Sequence, residues 1–319
     1  MTDAGDDPST AQDDPAPAER RDLNRFIQSR QLDLYEQGMA RQTYAYGVDI
    51  RRSRWLANSR IGNTLVRAVD RAWPQLSTQL MATELDGPSV IPHDLLSRLH
   101  RVRSLLRAPL PSVRSLRRGP NRSQFSWPVV TALGSVHGHA NWLVIDIDAL
   151  RQLPPEAQDF VLGTGLGHLQ CDHGIFFSAH LLAARQRATL TVRAAQRLLT
   201  PWSRVMAFSA DRAGLLSSGS VPTALSGLHA LTKRSEYSDD LRHWLPMDPP
   251  LSARELALEE FSHSEVFTRL QRLHQANQKG VTLLGGIETS PPPSSSELPP
   301  QTWSLARVDS RLTQRLKLL

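Results

Sequence analysis

The chain has 319 residues, of which 40% are hydrophobic, 21% charged and 6% aromatic, a balance that excludes fibrous, collagenous and wholly disordered proteins. Its net charge of +6 is uneven: six of the 31 acidic residues lie in 1–19, which hold no Lys or Arg. The other 37 cations and 25 acids leave the rest of the chain at +12, and three lysines against 34 arginines do not by themselves name an acidic partner.

Residues 1–22 are rich in Asp, Pro, Ala, Ser and Thr and almost free of large apolar side chains, so they are expected to form a disordered acidic tail. This acidic start lacks the apolar segment of a secretory signal, and no run approaches the length of a membrane-spanning helix. With one cysteine, Cys171, no internal disulfide can form, and the expected location is the cytoplasm.

From residue 23 the apolar positions take helical spacing (Leu23, Phe26, Ile27, then Ile50, Trp55, Leu56, Ile61, Leu65, Val69), which predicts a helical N-terminal layer. Pro74, Asp86-Gly87-Pro88 and Pro92 punctuate the next stretch of chain. Residues 97–122 contain eight arginines and no acid. They read either as a nucleic-acid patch or as a solvated helix face whose Leu99, Val102, Leu105 and Leu106 pack inward. The run has no aromatic residue to stack on a base, which favours the helix face.

Between Pro128 and Asp148, Val129, Val130 and the stretch Trp142, Leu143, Val144, Ile145 predict one or two strands. A helix starts at Pro154-Pro155 and is predicted to run to about His173, with further helices near 175–199, 201–217, 222–232 and 252–278. Thr200 and Pro201 are read as the start of the 201–217 helix. Residues 282–300, with their Pro and Ser clusters, form an expected linker, and 301–319 a short amphipathic helix.

The run Leu153 to His173 (LPPEAQDFVLGTGLGHLQCDH) resembles the active-site helix of the zinc metalloendopeptidases typified by the HtpX heat-shock protease and the CaaX-prenyl endopeptidase. Downstream, Ser203 to Leu216 (SRVMAFSADRAGLL) resembles that family's S-R-x-x-E-x-x-A-D-R-x-G-L segment, and Ala224 to Leu228 its next helix. The resemblance covers about residues 128–232. It implies an α+β, mainly α, zincin-type domain over 23–281, with a small sheet packed on the active-site helix and an edge strand beside it.

In that family two histidines and a glutamate hold zinc, and a second glutamate is the general base. The corresponding positions here are Thr164, His168 and Ala207 for the ligands and Gly165 for the base, so only His168 is retained. A catalytic zinc needs three protein ligands and an open position, and an attacking water needs a base. No catalytic residue and no metal or other cofactor are therefore expected, and Thr164, Gly165, His168, Ala207 and Asp211 form a vestigial site.

The implied protein is a pseudopeptidase binding an unidentified protein or peptide, with a peptide groove along Trp142, Leu143, Val144 and Ile145. The alternatives are an active zinc endopeptidase with unconventional ligands drawn from His168, Cys171, Asp172, His173, His180 or the His137/His139 pair, and nucleic-acid binding through 97–122. The glycines Gly163, Gly165 and Gly167 fit no phosphate loop, because His168 stands where the dinucleotide pattern needs glycine; close packing is expected for Gly163 and Gly167.

Overall fold

The most buried strand is the apolar run Trp142–Ile145 (β4), in which all four residues are inaccessible. An inner strand covered on both faces reads as a continuous apolar segment, without alternation. The computed structural model describes residues 30, 33–117, 127–134, 141–184, 190–236, 249–278 and 302–316. The expected acidic tail, the expected linker, Arg118, Arg122, His137 and His139 lie outside the described residues.

Residues 33–40 are helical, and helices α1 (Gly47–Asn58) and α2 (Arg60–Thr83) follow in the helical layer expected from the apolar spacing, whose first positions Leu23, Phe26 and Ile27 lie outside the described residues. Pro74 lies inside α2 rather than ending it, and the carbonyl of Pro74 accepts bonds from the hydroxyls of Ser77 and Thr78. Strand β1 (Leu85–Asp86), helix α3 (His93–Leu106) and strand β2 (Ser112–Leu116) come next, then β3 (Val130–Leu133) and β4. The sheet order is β1-β2-β4-β3, with β2 parallel to β4 and the other pairs antiparallel. Strand β4 is therefore interior and β1 and β3 are the edges, so the groove expected along Trp142 to Ile145 is not an open edge: its backbone is bonded to β2 and β3.

The basic run 97–122 divides between a helix and a strand. Leu99, Val102 and Leu106 are buried on α3, as the helix-face reading required. Arg98 and Arg101 pair with Asp159, Arg107 with Glu36 and Arg117 with Asp86, so these four guanidinium groups are engaged within the molecule.

After the short helix α4 (Ile147–Arg151), helix α5 (Pro155–Gln170) starts on Pro155 at its first position, where a missing N–H costs nothing. It ends three residues before the expected limit, because Asp172 takes a left-handed backbone (φ 59°) and turns the chain into α6 (Gly174–Ala184). Helix α7 is continuous over Leu190–Ser218, so Thr200 and Pro201 do not start a helix. A proline inside a helix forfeits one backbone bond; here the burial of Trp202, Val205, Met206, Phe208, Leu215 and Leu216 on the following turns offsets that loss.

Helices α8 (Val221–Glu236), α9 (Leu251–Ser262) and α10 (Glu265–Gln278) lead to α11 (Leu305–Arg315), which is not a separate appendage. Val308 and Leu312 of α11 are fully buried, and Asp309 pairs with the fully buried Arg212 of α7 and accepts a bond from the Gly47 N–H. The Tyr46 and Thr313 hydroxyls share a bond 2.5 Å long. The architecture is α+β, mainly α: helices around a small mixed four-stranded sheet. No helix among the described residues is long and apolar enough to cross a membrane.

Candidate functional site

Helix α5 is wedged between the sheet and α7, and its glycines set both distances. A Cβ on Gly163 would lie 2.2 Å from Ser217 Oγ and one on Gly167 2.6 Å from Ala213 Cβ, so both glycines face α7, as expected. Rising numbers on α5 meet falling numbers on α7, so the two helices run antiparallel and the two recognised segments lie side by side. Gly165 faces the opposite way: its Cβ would lie 2.3 Å from Val130 Cγ1 on β3 and 3.0 Å from Leu143 Cδ1 on β4.

This register places each position that the sequence resemblance singled out. Thr164 is buried against Gly214, and its hydroxyl donates back to the Phe160 carbonyl at 2.9 Å, a bond internal to α5. Ala207 is buried and carries no ligand atom on its side chain. Asp211 is fully buried and held bidentately by Arg254 of α9, with Nε–Oδ2 at 2.7 Å and Nη2–Oδ1 at 2.6 Å. A planar guanidinium of this kind saturates both carboxylate oxygens and leaves Asp211 no role as a free base. His168 is partly exposed and packs edge-on against Phe177.

His168 is the outer end of a buried polar chain that begins on α1. Asp49, 1% exposed, accepts bonds from Trp202 Nε1 and Ser209 Oγ of α7, each 2.5 Å, and from His173 Nε2 at 3.0 Å. His173, fully buried in the α5–α6 turn, meets His168 through their two Nδ1 atoms at 2.9 Å.

One proton pattern satisfies this chain with neutral rings. His173 donates from Nε2 to Asp49, so its Nδ1 accepts from His168 Nδ1–H, and His168 Nε2 is left with a lone pair. Burial raises the Asp49 carboxyl, but the imidazole of His173 against it, with the hydrogen bonds from His173, Ser209 and Trp202, outweighs that and holds the group below its ordinary range. Burial, with the neighbouring His173 and Arg254, holds the His168 imidazole well below its usual value, so His168 is neutral near pH 7.

Cys171, at the C-terminal cap of α5, is also buried, and burial with the negative charge of Asp49 keeps its thiol protonated. Asp49, Cys171 and His173 present ligand atoms all within 4.8 Å of one another, the one such group among the described residues. The His168/Asp172 pair weighed from their spacing does not form, because Asp172 lies beyond the helix end and is exposed. His180 is buried on α6 and packs against Phe176.

Asp49, Trp202, Ser209 and Arg254 were not singled out by the sequence reading. Asp49 stands 124 residues from His173 in an ordinary amphipathic helix, and no spacing rule joins them. Comparison with known proteins finds no matching family model, no matching curated protein and no matching solved structure.

Proposed function

We propose that this chain is a metallopeptidase-like protein without hydrolytic activity that works as a binding or regulatory module. The observation that carries this reading is the seal at Gly165: the position corresponding to the family's general base is closed by Val130 and Leu143, with no space for a carboxylate. Two further features support it. Thr164 bonds within its own helix, and Asp211 is occupied by Arg254.

The test is hydrolysis. Purified full-length protein with added zinc(II) is incubated with unfolded casein, and the expected result is no chelator-sensitive cleavage above that of His168→Ala. Cleavage that phenanthroline abolishes and His168→Ala removes would establish the active-peptidase alternative instead.

A further inference from the structure

We infer that Asp49, Cys171 and His173 form a buried three-ligand site for a borderline divalent cation such as zinc(II), distinct from the positions Thr164, Ala207 and Asp211 on α5 and α7 and independent of whether the protein hydrolyses peptides. The first observation is the donor set. A carboxylate, a thiol and an imidazole from α1, the end of α5 and the α5–α6 turn converge within 4.8 Å, and the three residues are 1%, 5% and 0% exposed. Thiolate with imidazole selects zinc, cobalt or copper over magnesium or calcium.

Two of the three ligand atoms are spaced close to what a bound ion requires. Asp49 Oδ2 and His173 Nε2 are 3.0 Å apart. A tetrahedral ion with bonds of about 2.0–2.1 Å to nitrogen and oxygen holds such a pair about 3.3 Å apart, so this pair needs a few tenths of an ångström of expansion, with Cys171 Sγ within 4.8 Å of both.

The second, independent observation is the surrounding shell. Metal-bound histidines and carboxylates are typically oriented by outer hydrogen bonds. Trp202 and Ser209 both donate to Asp49 from α7, and His168 bonds the ring nitrogen of His173 that faces away from Asp49. Asp49 and His173 thus each have an orienting partner.

Charge gives the third argument. Without a metal the cluster buries one carboxylate, and among the described residues its single ionic contact is the imidazole of His173. A 2+ ion with one carboxylate, one thiolate and one neutral imidazole sums to zero. The proton balance closes: Cys171 releases its thiol proton to solvent. The proton between the two rings moves to His173 Nδ1, and the His173 Nε2 proton is replaced by one on His168 Nε2, so one proton leaves per ion bound. The cluster is inaccessible, so the ion is taken up as the chain folds and does not act on a substrate.

The test uses the full-length chain, produced without a metal-affinity tag, unfolded in denaturant with chelator and refolded with zinc(II) or with cobalt(II). The expected result is one bound ion per chain and, with cobalt, a sulfur-to-metal charge-transfer band. Cys171→Ala and His173→Gln should each lose both. Cys171→Ala is checked by circular dichroism for native helix content, and the cobalt spectrum of the unmutated protein decides the matter even where a variant does not fold. Absence of stoichiometric metal in the unmutated chain, a cobalt spectrum with no thiolate band, or metal retained in both variants would overturn the site. None of these outcomes touches the hydrolysis assay, so the two readings fail separately.

Discussion

Gly165→Glu puts a carboxylate back at the position sealed by the sheet, and the structure sets its cost. The new Cβ alone would lie 2.3 Å from Val130 Cγ1. Ordinary carbon contacts are about 3.5–4.0 Å, so Val130 or the helix must move by more than about 1 Å. Overpacking of this kind costs about 1–3 kcal/mol. An unpaired charge held against Val130 and Leu143 adds about 3–5 kcal/mol, and replacing glycine in a helix returns about 1 kcal/mol.

The sum is a loss of about 3–7 kcal/mol, much of the about 5–15 kcal/mol that holds a typical domain together. Gly165→Ala carries the steric part alone, and in a Val130→Ala background its cost should fall, a coupling of about 0.5–3 kcal/mol. Urea unfolding at pH 7, followed by tryptophan fluorescence, measures the parent, Gly165→Glu, Gly165→Ala, Val130→Ala and the double variant. If Gly165→Glu unfolds within about 0.5 kcal/mol of the parent, as surface substitutions do, position 165 is open and the sealing argument is wrong.

Asp211→Ala should cost about 3–5 kcal/mol, because it leaves the Arg254 guanidinium buried without its carboxylate; Arg254→Met in the same chain should recover most of that loss, and additive effects would refute the pairing. Asp309→Ala should destabilise by a similar amount through the fully buried Arg212, and a change under about 1 kcal/mol in denaturant unfolding would mean that α11 is not a structural part of the core. Burial raises the hydroxyl pKa values of Tyr35, Tyr44 and Tyr46 above the ordinary 10.0. These groups stay protonated longer in the folded than in the unfolded chain, so their contribution is complete below pH 10 and declines as pH rises toward the folded values, by up to about 1.4 kcal/mol per pH unit for each. The buried Cys171 thiol, raised in the same direction, and three lysines also titrate in this range, so the alkaline limb of unfolding free energy should become shallower in Tyr44→Phe without disappearing; an unchanged limb would contradict the assignment.

What the sequence made legible was local. The apolar spacing of α1 and α2, the proline start of α5, the inward face of α3 and the strands at Val130 and Trp142 come from periodicity and turn chemistry over a few residues. Strand β2 was hidden inside an arginine-rich run because Ser112 to Leu116 has no clean alternation. The interior place of β4 was hidden because strand order depends on pairings between distant segments. Pro201 reads as a helix start by local rules, and only the burial of the turns after it shows why α7 continues.

In the site, the α5 and α7 positions could be named because they sit in contiguous segments. Asp49 and Arg254 could not. Each is a single charged residue on an amphipathic helix, joined to its partner by tertiary packing across 124 and 43 residues. His173 was visible as a histidine near His168, but its orientation by Asp49, which decides which nitrogen carries the proton, was not.

The docking of α11 has a consequence for the order in which the molecule is completed. Asp309 reaches Arg212 across 97 residues and Gly47 across 262, and Thr313 reaches Tyr46 across 267. A ribosome adds about 5–20 residues per second, so about 5–20 s separate the synthesis of Arg212 from that of the carboxylate that neutralises it. Through the first half of that interval the nascent chain holds the cation beside Tyr46 alone, and only then does Phe261 add a second wall. Helix α11 therefore closes this corner, and a ribosome stalled before residue 305 presents a chain whose core is open at Arg212.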